Sequence, residues 1–547
     1  METLKYPEFN LVREPWIMVM KEDGVIEEVG LLDLFERAHQ FRALAGELPT
    51  QDIAVLRLLL AILHSIFGRY DPDGEFAPLY DGNMPGSPEE VYERWHTLWE
   101  QGQFTNSIIG EYLKKYEDRF WLFHHERPFY QVPVLDEATE YLAAKLNGEI
   151  AESGNKIRLF TTRAGISKKK LSFGESARWL LHVNGYDDTS SKPKGDNLSS
   201  PGVGWLGKLG LVYAVGHNLF ETLLLNLVML KDEEQKPWST GEAVWEKDIV
   251  RTEERSEIVL PDNPAELLTL QSRRLLLRRE GFNVVGYSLI GGDFFPPNNA
   301  FAEQMTVWRL NDEKKGLKYY KPRRHDPSRL LWRDLSSLLV NSVEQHRCPG
   351  VVSWIRHLNY RKLIKFPLMH FQISAVKYGD KDFFVNDVFS DGIAFHVELL
   401  NKYGEDWITR IIDNIDVAEL LAKEVGILAR KLAKAAGDKD IDRINQMAVT
   451  SREQAYYRLD HPFRLWLEQI NPSNDDMREV SVRWWEQSRD IIRKIGKEMV
   501  EQCGRQAFIE RIIEENKQKK RYSVPLAYND FLYRTTNIDT MRGGKNK

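Results

Sequence analysis

A chain of 547 residues exceeds what one hydrophobic core sustains, so two or three domains are expected. Its 42% hydrophobic and 29% charged residues remove disorder as the default reading, and its two cysteines, Cys348 and Cys503, exclude a disulfide framework or a four-cysteine zinc site. The net charge of -6 argues against a freestanding nucleic-acid binder, whose affinity rests on Lys and Arg at phosphates, so the distribution of charge matters more than its sum.

From the amino terminus, Met1 to Phe9 carries no apolar run behind a basic stretch, and no segment offers about 18 to 20 apolar residues free of charge. A cytoplasmic location with no membrane partner is the expectation. Asn10 to Val19 reads as a strand broken by Pro15, with a turn at Gly24 into a second strand near Val25 to Val29 and a helix after Leu31. Pro49 and Thr50 start a helix that Gly68 stops, and Ile53, Leu56, Leu60 and Leu63 share one face. His64 in that helix reads as a packed side chain rather than a ligand. Asp71 to Pro88 is a loop by composition, and Val91 to Trp99 resumes helical spacing.

Between Asn155 and Phe173 there is no carboxylate, while Lys156, Arg158, Arg163, Lys168, Lys169 and Lys170 all fall inside. Asp187 to Gly210, rich in glycine and poor in periodicity, reads as a long mobile loop, followed by an apolar helix at Leu219 to Leu230. Two strands, Leu267 to Leu277 and Asn283 to Ile290, are expected around a turn at Glu280 and Gly281, with Arg273, Arg274, Arg278 and Arg279 on the first strand and the turn. A second basic run, Lys314 to Arg329, gathers Lys315, Lys318, Lys321, Arg323 and Arg324 around Tyr319 and Tyr320. Past about Phe389 long helical patterns take over: Trp407 to Ala435, Asp440 to Glu468, Asp475 to Gln502 and a shorter Arg505 to Lys517. The expected fold class is therefore α+β, a large mixed domain over residues 1–390 followed by an all-α four-helix bundle over 391–547, with Trp466, Trp484 and Trp485 as packing residues.

Familiar catalytic patterns fail on inspection. Gly202, Gly204, Gly207 and Lys208 satisfy a GxGxxG and the start of a phosphate loop, but Leu209 replaces the Ser or Thr that holds magnesium, and the polar Asn197 to Pro201 is no strand. His124, His125 and Glu126 are adjacent, so their side chains diverge and chelate one ion poorly. No nucleophile motif stands out, and the expectation is a chain with no catalytic residues, no metal and no cofactor.

Several stretches, in order along almost the whole chain, resemble the CasA family, the large subunit of the type I-E CRISPR Cascade complex. They are Asn10–Ile17, Ala45–Asp52, Arg127–Gln131, Gly292–Asn298 and Met305–Arg309. The resemblance implies a non-catalytic subunit of a surveillance complex. Its partners would be double-stranded target DNA, the guide RNA complex, the other Cascade subunits and a helicase-nuclease recruited after DNA binding. The amino-terminal domain would inspect the protospacer-adjacent motif (PAM) through the minor groove, whose degenerate pattern suits a scanner, and so help start strand separation and guide pairing. The family's basic loop corresponds to Arg158 through Lys170, with Phe160, Thr161 and Thr162 at its tip and Arg163, Lys168, Lys169 and Lys170 behind. Its glycine loop corresponds to Ser199 to Gly204, through Gly202 and Gly204. Where the family has a glutamine wedge after Tyr378 and Gly379, this chain has Asp380, Lys381 and Asp382, of which Lys381 is the preferred substitute for the glutamine and Asp382 its alternative. The family's minor-groove contact from a hairpin corresponds to Arg278 or Arg279.

Overall fold

Pro49 at the first helical position and Gly68 after the last bound a helix over Pro49–Phe67, as the apolar spacing predicts. Nearly all its side chains are buried, so it is a central core helix, although by length and composition it would also cross a membrane. The computed structural model describes residues 8–82, 84–148, 163, 165–193, 195, 197–231, 235–248, 252–312, 316, 318–340, 346–401, 404–515 and 518–538.

Two compact units divide the chain. The first comprises Met1–Pro327, Val340–Ile364 and His370–Gly392; the second comprises Ser328–Leu339, Lys365–Met369 and Ile393–Lys547.

In the first unit several small antiparallel sheets surround the core helix. Ile17–Lys21 lies between Ile26–Val29 and Phe41–Leu44. Arg273–Glu280 pairs with Asn283–Gly291, which pairs in turn with Thr139–Leu142. The first of these strands begins at Arg273 rather than Leu267, because Asn263 caps a short helix, Pro264–Leu268, through the Glu266 amide. A third sheet orders Val385–His396, Leu368–Tyr378 and Leu211–Val215. The buried pair of Arg57 with Glu303, two hydrogen bonds of 2.8 Å, ties the core helix to the Ala302–Met305 segment, and Trp205 Nε1 donates to the same carboxylate at 2.9 Å. With both partners almost fully buried, that pair fixes the residue that follows Gly204.

Among its described residues the second unit carries four helices of more than ten residues, Glu405–Ala436, Ile441–Glu468, Met477–Glu501 and Val524–Thr536, with the long first one packed against the other three. Asp440 and Asp476 cap the second and third, and Gly437 ends the first in the left-handed conformation that glycine adopts without strain. Trp466 and Trp484 pack with Phe463 and Trp332, as expected of core aromatics. The mixed α+β class with a helical C-terminal region stands, but the fourth helix is displaced. Instead of a helix over Arg505 to Lys517, a single turn at Arg505–Phe508 leads into a hairpin of Arg511–Glu515 and Gln518–Tyr522, so this unit is not all-α. Ile509, Ile512 and Ile513 imitate helical spacing, yet β-branched side chains favour the strand, and Glu514 faces Lys519 across it.

Candidate nucleic-acid interface

The segment expected to be a mobile loop, Asp187 to Gly210, has one short helical turn at Leu206–Lys208, but it is anchored rather than free. It leaves the helix Phe173–Tyr186, whose start is a capping box between Ser172 and Glu175. The following Asp187 is buried between cations: Arg273 Nε lies at 2.5 Å and Lys192 Nζ at 3.1 Å. Burial by itself raises the pKa of the Asp187 carboxyl, and the charges of Arg273 and Lys192 outweigh it, so the group sits below the usual carboxylate range. Arg273 also donates to the carbonyls of Asp187, Asp188 and Gly202, at 3.2, 3.3 and 2.6 Å. One guanidinium thus staples the start of the segment to its glycines.

Those glycines do different work. The Gly204 amide donates to the Asp187 carbonyl at 3.0 Å, and a β-carbon there would sit 2.3 Å from the Gly185 carbonyl oxygen, so Gly204 is required for packing inside the molecule. Gly202 is exposed, with nothing within 4 Å of a β-carbon. A β-carbon at Gly207 would meet the Tyr378 hydroxyl at 2.2 Å. The Gly-rich stretch opens onto a three-residue turn and then the strand Leu211–Val215, so it forms no helix-based phosphate cradle.

Across from it stands the turn between Leu368–Tyr378 and Val385–His396. Lys381 and Asp382 both adopt left-handed backbone angles, φ 54° and 60°. Asp382 accepts two hydrogen bonds from Arg324, at 2.7 and 3.0 Å, and Arg324 lies 5.2 Å over the Tyr378 ring. Thr189 holds the turn from the other side: its hydroxyl donates to the Lys381 carbonyl at 2.9 Å and its amide to the Asp382 carbonyl at 3.0 Å. The Tyr378 hydroxyl donates to the Tyr186 carbonyl at 2.7 Å. The Asp382 side chain is therefore committed to the fold, while Lys381 is exposed at the tip.

The other predicted residues lie elsewhere. Phe160, Thr161 and Thr162, with Lys156 and Arg158, fall outside the described residues. Arg163 pairs with Glu47 and, at 3.0 Å, with Glu175, so it clamps its segment onto the helix start. Lys168 is half-buried and Lys169 and Lys170 are exposed, and none pairs with a described carboxylate. Leu171 bridges Val284, the cross-strand partner of Arg279, which places this basic stretch at the turn end of the 273–291 hairpin beside Arg278 and Arg279. Arg278 pairs with Glu140, an exposed contact that water and salt weaken. Arg279 makes two hydrogen bonds to Glu8, at 2.6 and 3.2 Å, and lies 5.1 Å over Phe123. The Gly202 segment adjoins the opposite end of the same hairpin, through Arg273. Six strand steps from Arg273 to Arg279, at about 3.3 Å each, separate the two patches by roughly 20 Å, or about six base pairs of duplex.

Sequence reasoning missed Thr189, Arg273 and Arg324 as the parts that hold this surface. The Arg273–Arg274 doublet was a faint signal for one of them; nothing local marks Thr189. Among the described residues no cluster of three or more His, Cys, Asp or Glu is arranged to hold a metal. His124 accepts hydrogen bonds from the Glu126 and Arg127 amides at 3.1 and 3.0 Å and closes a turn.

Comparison with known proteins settles the family. The sequence matches the family of CRISPR-associated protein Cse1 over residues 10–495. The chain belongs to the Cse1 family. It is a CasA/Cse1 large subunit, as the resemblance implies. A curated relative from Thermus thermophilus, CRISPR-associated protein CasA/Cse1, is 32% identical over 342 residues, a match spanning 60% of each chain. The crystal structure of Thermobifida fusca Cse1 superposes with a TM-score of 0.80 at 28% identity, covering 97% of this chain and 98% of that one. A chain of a CRISPR RNA-guided surveillance complex shares the fold, with a TM-score of 0.59 over 90% of this chain and 99% of that one, at 18% identity.

Proposed function

We propose that this Cse1-family chain is the non-catalytic large subunit of a type I-E surveillance complex in the cytoplasm. It reads the PAM of double-stranded DNA from the minor groove, helps start strand separation and guide RNA pairing, and helps recruit the helicase-nuclease. The observation that carries this reading is the pairing of an exposed backbone without a side chain, at Gly202, with a braced tip that presents Lys381, the two joined through Asp187 and Thr189. A bare backbone amide and carbonyl approach a groove floor more closely than any side-chain-bearing residue, and a rigid tip is what prying at a base pair requires. Lys169, Lys170 and Arg278, whose exposed pair with Glu140 is weakened by water and salt, supply phosphate contacts, which position the duplex without reading it. The negative net charge is no obstacle when the binding surface is shared with other subunits.

The test is a complex assembled with Gly202→Val, whose extra side chain enters open space. Its affinity for a duplex with the correct PAM should approach that for a scrambled one, while assembly with guide RNA and the other subunits is unchanged. Undiminished PAM discrimination would remove Gly202 from the interface.

A further inference from the structure

Beside Gly202 lies a cavity of about 150 Å³ whose polar lining includes Lys208, Arg255, Ser272, Arg273 and Asp293. Its charge is lopsided. Arg273 is spent on Asp187 and backbone carbonyls, Asp293 is taken by Arg274 at 2.5 Å, and Arg255 donates to the Ser199 carbonyl while lying 4.2 Å over Phe294. The Lys208 stem runs along Trp205, with the ammonium 5.9 Å from the ring. Among the described residues that ammonium, with three N–H groups to place, has no carboxylate or hydrogen-bond acceptor. Burial, and then the positive charges of Arg273, Arg324 and Arg255, push its pKa down to about 8. A largely covered cation surrounded by other cations is an arrangement that an anion completes.

We propose that this cavity is an oxyanion site in which Lys208, aided by Arg255, takes a backbone phosphate of the DNA strand that passes Gly202. The volume accommodates one tetrahedral phosphate group, and the cationic lining suits that group. Gly202, exposed and without a β-carbon, is part of its lining, so a sugar-phosphate chain can come close to the partly buried Lys208. The inference rests on the DNA reading above and adds to it an anchor that fixes register beside the reading loop. Free inorganic phosphate has the same chemistry and is the alternative source.

Complexes carrying Lys208→Met, which keeps the stem over Trp205, and Lys208→Arg, which keeps the charge, separate the possibilities. Binding of target duplex is measured between 50 and 200 mM KCl. For Lys208→Met the slope of log affinity against log salt should flatten by about 0.9, so that the affinity lost across that range shrinks about 3.5-fold; Lys208→Arg should restore the slope. PAM discrimination should stay as in the parent. A slope unchanged in Lys208→Met, with its thermal unfolding also unchanged, overturns the proposal. If inorganic phosphate at constant ionic strength stabilises the parent chain but not Lys208→Met, and the DNA slope is unchanged, the cavity holds free anions and the DNA assignment is equally overturned. Should Lys208→Met fail to fold, Lys208→Gln and the parent on a duplex with single methylphosphonate linkages give the same readings. A flattened slope in Lys208→Met alongside normal discrimination in Gly202→Val keeps the phosphate contact and sinks the groove-reading role of Gly202; the reverse pattern does the opposite.

Discussion

Lys381 sits in a left-handed backbone conformation that costs an L-residue roughly 1 to 2 kcal/mol and glycine almost nothing. Lys381→Gly should therefore leave the chain as stable as the parent or about 1 kcal/mol more so in urea unfolding. The same change deletes the only exposed cation of the tip. If Lys381 inserts at the first base pairs, the variant should bind a pre-melted bubble target normally and open a closed duplex more slowly, read by fluorescence of a base analogue next to the PAM; equal opening rates would clear Lys381 of the wedge role. Gly204 makes the opposite case. A β-carbon there meets the Gly185 carbonyl, so Gly204→Ala should lower stability before any effect on DNA can be assessed. Gly202 and Gly204 look equivalent in the sequence, and only the neighbours each acquires on folding tell them apart.

The hairpin from Arg273 to Gly291 is the element that organises the surface, with the glycine segment stapled near one end and the basic stretch at the other. Phosphate contacts at the turn end act by counterion release, so changing Lys168, Lys169 and Lys170 together to Ala should weaken DNA binding by the assembled complex and flatten its salt slope by about 0.9 for each phosphate no longer engaged. An unchanged slope would assign these lysines to assembly. Arg163, from the same basic run, should behave differently, because its charge is already met by Glu47 and Glu175; Arg163→Ala should loosen the segment rather than alter the slope by itself. Element boundaries were legible: Pro49, Gly68, Asp440 and Asp475 mark helix ends that the structure reproduces within a residue or two. The Arg505 to Lys517 helix was not, since three isoleucines spaced for a helix were equally well placed for a strand.

At the scale of the molecule, the second unit recruits a segment from earlier in the chain. Trp332, fully buried, packs 4.8 Å from Phe463 within that unit. Trp332→Ala should cost about 3 to 5 kcal/mol, read as a lowered unfolding midpoint of this unit in the full chain. In the first unit, His182 is buried with Nε2 3.0 Å from the Thr50 hydroxyl, and burial depresses its pKa to about 3. The unfolded chain binds the imidazole proton near pH 6.5 and the folded chain does not, so this group withdraws stability as pH falls below about 6.5, by roughly 2 kcal/mol at pH 5. Asp52, pushed up to about 6 by burial, acts in the opposite sense over the range between about 4 and 6. Urea midpoints of the parent and of His182→Gln at pH 7 and pH 5 check this: the variant should lose less on acidification.

Hydrophobic spacing, caps and turn residues determined the mixed class and the long helices, because those signals act over a few neighbouring residues and survive in any context; the family came instead from the resemblance of five ordered stretches. Which basic residues face solvent and which are consumed by carboxylates was settled only in three dimensions. Arg163, Arg279 and Asp382 meet partners more than fifty residues away, and Lys208 meets no carboxylate among the described residues. Charge pairing depends on distances that the chain acquires when it folds, and a sequence records the charges without recording those distances.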